Sequence, residues 1–231
     1  MSAPAPTTPQ PSDTTTALTA DPLAFGVGAR VTAAVMSDRY VEIITGALAA
    51  ADATGLVLES GDVSTYVGGG EADLLRYLTQ LSAAIAGTGV HASIVVHLSR
   101  GCPGEVVCAL PGGAGPRVVD LPEGETSGHF ATAEWALYPL ADGVREGVEP
   151  DHMRDIYAAI DLARDNGTFV GSEHFVTRLE GDLGSVLATV VSGWARVGRS
   201  VQHVTSHLTV SLNSPSHPAR CPAAATSQEH P

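Results

Sequence analysis

The sequence predicts an α+β fold built from a duplicated βαββαβ unit, and two observations carry that prediction. Residues 55–103 and 167–215 superpose at a constant offset of 112 without a gap. Gly55, Ser60, Thr65, Gly69, Leu75, Ala83, His91, Ser99 and Pro103 meet Gly167, Ser172, Thr177, Gly181, Leu187, Ala195, His203, Ser211 and Pro215. Nine identities in 49 positions are few, but apolar character pairs too, as in Val67/Leu179, Leu74/Val186, Leu78/Val190, Ile85/Val197 and Leu98/Val210. A repeat of this length is a duplicated supersecondary unit rather than a solenoid period. The second observation is that each copy alternates between the two-residue hydrophobic period of strands and the longer period of helices.

Each element follows from local chemistry. In the first copy residues 29–36 read as a strand, after which Ser37 or Asp38 can cap a helix carrying Ile43, Ile44, Ala47, Leu48 and Ala51. Gly55 is suited to a left-handed helix stop. Residues 56–60 and 63–67 form a hairpin turned at Gly61. A second helix over 71–86 buries Leu74, Leu75, Leu78, Leu81 and Ile85, and 91–99 is the last strand. The second copy repeats this as a strand at 135–140, a helix at about 151–164, a hairpin over 168–180, a helix at 184–197 and a strand at 203–213. This order is that of the ferredoxin-like unit, in which two helices cover one face of a four-stranded antiparallel sheet. The expected organisation is therefore two tandem ferredoxin-like repeats, 24–100 and 134–216, joined by a Gly/Pro-rich linker over 101–133. An eight-residue insertion before the second copy's first helix, within 141–150, makes the first strands align at an offset of 104. Residues 1–23 and 217–231, rich in Pro, Thr, Ala and Ser, are expected to be disordered.

Composition narrows the function. A net charge of −13, with twelve Arg and no Lys, argues against a phosphate-backbone partner, which needs a basic surface to release counterions. The acidity suits a neutral or cationic ligand, although it also simply confers solubility. Cys102, Cys108 and Cys221 are odd in number and lack CxxC spacing, so neither a disulfide framework nor a zinc site is expected. The N-terminus lacks the basic and apolar regions of a signal peptide, and no run of about 20 apolar residues predicts a membrane span. A reducing cytoplasm is the expected location.

Strand alternation gives each last strand a polar row: His91, Ser93, Val95, His97 and Ser99 in the first copy, and His203, Thr205, His207, Thr209, Ser211 and Asn213 in the second. Solvent exposure alone accounts for such rows. Pairing of sheets across repeats or subunits would instead enclose them and create a ligand site. His203 and His207 stand about 13 Å apart along a strand and cannot chelate one ion together, and only histidines from different segments, such as His91, His174 and His203, could meet at a metal. No metal or cofactor is expected. Cys102 and its counterpart Ser214 precede prolines at strand ends, where a turn is the simpler reading than a nucleophile. Gly68, Gly69 and Gly70 precede a helix but lack the GK[ST] of a phosphate loop.

The strings HASIVVHLSRGCPGE at 91–105, EWALYPL at 134–140, GTFVGSEHFVTRLEGD at 167–182 and QHVTSHLTVSLNSPS at 202–216 resemble the YkoF family of thiamine/hydroxymethylpyrimidine-binding proteins. The resemblance spans about residues 25–216. It implies tandem ACT-like ferredoxin-like repeats, a homodimer, and cytoplasmic, non-catalytic binding of thiamine or its hydroxymethylpyrimidine part. It further implies a role in uptake or salvage of that precursor, with a possible link to its transporter. Ser64 and Thr65 keep the family's Ser-Thr pattern and Thr177 repeats the threonine, while Ala34-Val35 stands where the second copy has Tyr138-Pro139.

An aminopyrimidine requires a flat slot, an acceptor for its amine and a donor to a ring nitrogen. The residues expected to bind are Ser64, Thr65, His91, Ser93, His97, Tyr138, His174, Thr177, His203, Thr205, Thr209 and Asn213, with Thr177 and His203 together in the second site. Tyr138 either stacks on the ring or fills the core, and Glu134, Glu173 or Glu180 would neighbour a thiazolium cation. The competing reading is an ACT-like regulatory or assembly module that binds another metabolite and a partner protein. A Cys102 hydrolase is a third reading, without a recognisable acid/base pair.

Overall fold

In the computed structural model, which describes residues 18–102, 115–140 and 152–217, a single helical turn, α1 (Pro22–Phe25), precedes the first repeat. The Asp21 carboxylate accepts from the Leu23 amide at 2.9 Å, and Gly26 ends the turn in the left-handed region. Phe25 is fully buried. Residues 18–23 of the stretch expected to be disordered are therefore ordered, with 18–20 helical, because capping and one buried aromatic ring fix the turn that follows. Residues 1–17 and 218–231 of the expected extension and tail lie outside the described residues.

The first repeat comprises β1 (Gly28–Val35), α2 (Tyr40–Ala50), β2 (Leu56–Ser60), β3 (Thr65–Gly69), α3 (Glu71–Ala86) and β4 (Ala92–Arg100). The second comprises β5 (Phe130–Leu140), α4 (His152–Asp165), β6 (Phe169–Ser172), β7 (Thr177–Asp182), α5 (Leu183–Val197) and β8 (His203–Leu212). This is the expected βαββαβ order twice, with β5 starting four residues inside the expected linker. The start of α2 differs from expectation. Its N-cap is Arg39, which makes no side-chain cap bond, while the Ser37 hydroxyl accepts from the Arg39 amide in a local turn.

Pairing across the repeats is the main departure from the expected arrangement. The strands form one eight-stranded antiparallel sheet in the order β2-β3-β1-β4-β8-β5-β7-β6. The repeats are thus joined edge to edge through β4 and β8, and neither repeat covers the other's polar face. Val96 lies opposite Leu208, and 208 − 96 is the repeat offset of 112. An approximate two-fold axis therefore passes between these two residues. The helices contact one another in the order α2, α3, α5, α4 along one side of the sheet, leaving the other side open. The core lies between the layers. Its buried indoles are satisfied, with Trp194 Nε1 donating to the Val204 carbonyl at 3.0 Å and Trp135 Nε1 to Ser206 Oγ at 2.8 Å.

Repeat differences explain where the linker runs. In the first repeat Arg76 occupies the outer helix groove, paired with Asp52 at 3.1 Å and Asp73 at 2.5 Å, and Gln80 accepts from the Asp52 amide at 2.7 Å. Their counterparts at the offset of 112 are Ala188 and Ser192, so the second groove is free for residues 121–125. There Ser192 Oγ donates to the Pro122 carbonyl at 2.5 Å. A Cβ on Gly184 would stand 2.0 Å from the Glu125 carbonyl oxygen, so only glycine lets the linker approach α5 this closely.

Asp182 anchors the end of this strap. It caps α5 by accepting from the Ser185 amide at 3.2 Å and also accepts from the amides of Ser127 and Gly128 at 3.0 and 2.7 Å. Burial alone would raise its pKa, but these hydrogen bonds hold it below the ordinary carboxylate value. A depressed folded pKa contributes stability above the unfolded value that is lost as pH falls through the folded one. Asp182→Ala is therefore expected to cost about 1–2 kcal/mol at pH 7. Urea unfolding at pH 7 and in acid checks this, with the deficit shrinking below about pH 4.

Candidate functional site

The residues expected to bind ligand fall on two opposite faces of the sheet. Register places Tyr138 opposite Thr205 and Leu140 opposite His203 on the open face. Ser93, His97 and Thr209 share that face, opposite Ser211, His207 and Val95. Tyr138 is 49% exposed, so it does not fill the core. Thr177, by contrast, lies opposite the buried Trp135 and is itself buried, and Thr65 lies opposite Val31. Both threonines face the helices. Thr177 and His203 therefore cannot share one pocket, which corrects the expected second site.

The remaining expected residues have other places. Ser64 Oγ accepts from Arg30 Nη1 at 3.4 Å in the β2–β3 turn. His174 is exposed at the β6–β7 turn, its ring 6.4 Å from that of Phe175. His91 is half-buried just before β4, and its carbonyl accepts from the Met36 amide. Since Ala92 pairs with Leu212 and Arg100 with Val204, His91 and His203 sit at opposite ends of the β4/β8 ladder, roughly 33 Å apart. They cannot converge on a metal. Asn213 adopts the left-handed region at φ 51 and donates to the carbonyls of Ala86 at 2.9 Å and Val90 at 3.1 Å. It ties the end of β8 to the end of α3, a structural task.

On the helix side the two repeats match one another at the far end of the first strand. Ala33 and Leu137 are equivalent at the offset of 104. Both are only half-buried although they face the helices and pack against the core. Thr65 and Thr177 occupy matching positions, each 9% exposed. Thr65 Oγ1 lies 3.0 Å from Ser60 Oγ, and Ser172, the counterpart of Ser60, pairs with Thr177. Each repeat thus sets a serine and a threonine hydroxyl, groups that both donate and accept, beside a half-buried apolar residue of its first strand.

The two repeats differ on the buried side of the first helix. Asp155, Ala159 and Ala163, spaced four apart on α4, are all buried, which turns this side of the helix inward. At the offset of 112 Asp155 corresponds to Ile43, a half-buried apolar residue of α2 packed on the core. Asp155 is only 7% exposed, and its ion-pair contact at 3.2 Å is with the outward-facing Arg154. The sequence predicts a helix at about 151–164 without assigning its buried side or a carboxylate on it. Aligning the two first helices at the repeat offset was the signal that could have found it.

A separate groove of about 490 Å³ lies on the outside of the helix layer, lined among others by Leu121, Glu123, Leu162, Asn166, Ser185 and Ala188. It contains none of the expected binding residues. Cys102 is exposed, and Ser214 Oγ faces Ser216 Oγ at 2.8 Å. Among the described residues no group of three or more His, Cys, Asp and Glu is gathered to hold a metal ion. No helix among them is long and apolar enough to cross a membrane.

The model of the YKOF-related family matches residues 27–105 and 130–217, one segment per repeat. The chain belongs to the YKOF-related family. A relative from Bacillus subtilis (strain 168), named "Putative HMP/thiamine-binding protein YkoF", is 26% identical over 185 residues, covering 80% of this chain and 89% of its own length. The YKOF-related match starts at Val27 and resumes at Phe130, the first residue of β5.

Proposed function

We propose that this YKOF-related protein binds thiamine or its hydroxymethylpyrimidine part without transforming it, one molecule per repeat, in a helix-side cleft beside Ala33 and Thr65 in the first repeat and beside Leu137 and Thr177 in the second. The observation that carries the reading is the family match over both repeats together with the relative's name. The chemistry of the clefts agrees. In each, the threonine and serine hydroxyls can donate to a ring nitrogen and accept from the exocyclic amine. In the second, Asp155 adds a carboxylate acceptor, and a hydrogen bond to a charged group is about twice as strong as a neutral one. The open-face residues Ser93, His97, Tyr138, His203, Thr205 and Thr209 form a separate surface. The role is to support uptake or salvage of the thiamine precursor in the cytoplasm, alongside its transporter, and the working form is the homodimer that the family resemblance implies.

Isothermal calorimetry with thiamine and with hydroxymethylpyrimidine is expected to show saturable binding to two unequal sites. No heat at millimolar ligand would reject the reading. Thr177→Val is expected to weaken only the second site, by about 1 kcal/mol for a lost neutral hydrogen bond. Light scattering at twice the chain mass of 23.6 kDa supports the dimer, and a monomer mass overturns it.

A further inference from the structure

We infer that His97 and His207 form a two-imidazole site for a divalent transition-metal ion, of the zinc, nickel or copper class, across the seam between the repeats. The two histidines are directly opposite on β4 and β8, next to the approximate two-fold axis at Val96 and Leu208. Both are exposed on the open face. Directly opposed residues of an antiparallel pair hold their Cβ atoms about 4.5–5.5 Å apart. Two imidazole nitrogens bound to one ion at about 2.0–2.1 Å stand roughly 3.4 Å from each other at a tetrahedral angle. Side-chain rotation spans the difference, and imidazole is a ligand suited to these metals.

The surroundings favour a cation there. Arg30, opposite His97 on β1, directs its guanidinium toward the outer strands, to Ser64 Oγ at 3.4 Å and over the Tyr66 ring at 5.7 Å. Ala136 is opposite His207 and leaves space beside it. Thr209 Oγ1 lies 3.5 Å from His207 Nε2, and Glu134, opposite Thr209, is diagonal to His207. The pair is not a product of the duplication, since at the offset of 112 His97 corresponds to Thr209 and His207 to Val95. Two protein ligands leave further coordination positions for water. Because β4 and β8 belong to different repeats, a bound ion clamps them together and stabilises the folded chain by mass action.

The test is calorimetric titration of the full chain, freed of metal with EDTA, with zinc chloride and with nickel chloride. One ion per chain is expected, with a thermal midpoint that rises with zinc. His97→Ala and His207→Ala are each expected to weaken binding at least about tenfold, and the double variant to lose the thermal shift. Both side chains are exposed, so circular dichroism of the variants is expected to match the parent. The combined His91→Ala and His203→Ala variant should bind as the parent does. Undiminished binding by the His97→Ala/His207→Ala variant would assign the metal to other histidines and overturn the site, as would an absence of saturable binding by the parent.

Discussion

Replacing Glu71 with leucine is expected to lower the folding stability by about 3–5 kcal/mol. Glu71 is 4% exposed and its carboxylate lies 3.2 Å from Nη1 of Arg100, which is wholly buried. The guanidinium sits against the rings of Phe25 and Trp194, at 5.8 and 5.7 Å, and donates to the Ala195 carbonyl at 3.3 Å. A Cβ on Gly198 would come within 2.6 Å of it, so the site is closely packed. Burial pushes the Arg100 pKa down to about 10 against the pull of Glu71, which still leaves it charged at neutral pH. A folded pKa below the unfolded one means that the charged form costs stability at neutral pH, a cost relieved only as pH rises above about 10. Without Glu71 the buried charge has carbonyls but no counter-ion. The same carboxylate lies 3.4 Å from Arg117, whose Nη1 donates at 2.6 Å to the carbonyls of both Thr19 and Ala20. Its loss therefore loosens the linker and the segment before α1 as well. Urea denaturation measures the loss, and a deficit under about 1 kcal/mol would show that the carbonyls alone neutralise Arg100. Glu71→Leu combined with Arg100→Met should recover much of it, since apolar replacement of a buried ion pair is often neutral or better.

Arg100 also shows what the sequence conceals. It ends a strand whose alternation sets it on the face of the buried Val96 and Leu98, yet nothing local reveals that a charge is kept there, since charged residues are rarely buried without a partner and the partner lies in another element. Element order was legible because strand and helix periods differ and each was written twice. Edge pairing of β4 with β8 was not, because backbone amides and carbonyls offer that ladder for almost any side chains. Alternation put Ser93, His97, Thr205 and Thr209 together correctly on one face. It also held the correction for Thr177, which shares the parity of the buried Leu179, but identity across the repeat drew it toward the histidines instead. Asn213 was assigned by parity alone, and its left-handed backbone removes it from the strand. The opposition of His97 and His207 depends on a register between segments more than a hundred residues apart, which periodicity does not encode.

Exchanging Asp155 for isoleucine, its counterpart in the first repeat, is expected to weaken the second site for hydroxymethylpyrimidine by about 1.5–3 kcal/mol, roughly 10- to 150-fold. In the proposed reading the first site has hydroxyls and an apolar Ile43, whereas the second adds the buried Asp155. Burying a carboxylate is costly unless it is paired, and among the described residues its ion-pair contact is with Arg154, whose side chain is 66% exposed. A ligand amine is the better-placed partner because it would enter from the cleft. Isoleucine at 155 restores the apolar stripe with Ala159 and Ala163, so the thermal midpoint should hold or rise while the affinity falls. That opposition separates a ligand-binding role from a structural one: if Asp155 serves only the helix start, the substitution lowers the midpoint and leaves calorimetric binding untouched. Asp155→Asn keeps the volume and removes the charge, so it should retain part of the affinity. Ile43→Asp, conversely, should bring the first site toward the strength of the second, and failure of both exchanges to move either site would place the ligand elsewhere on the molecule.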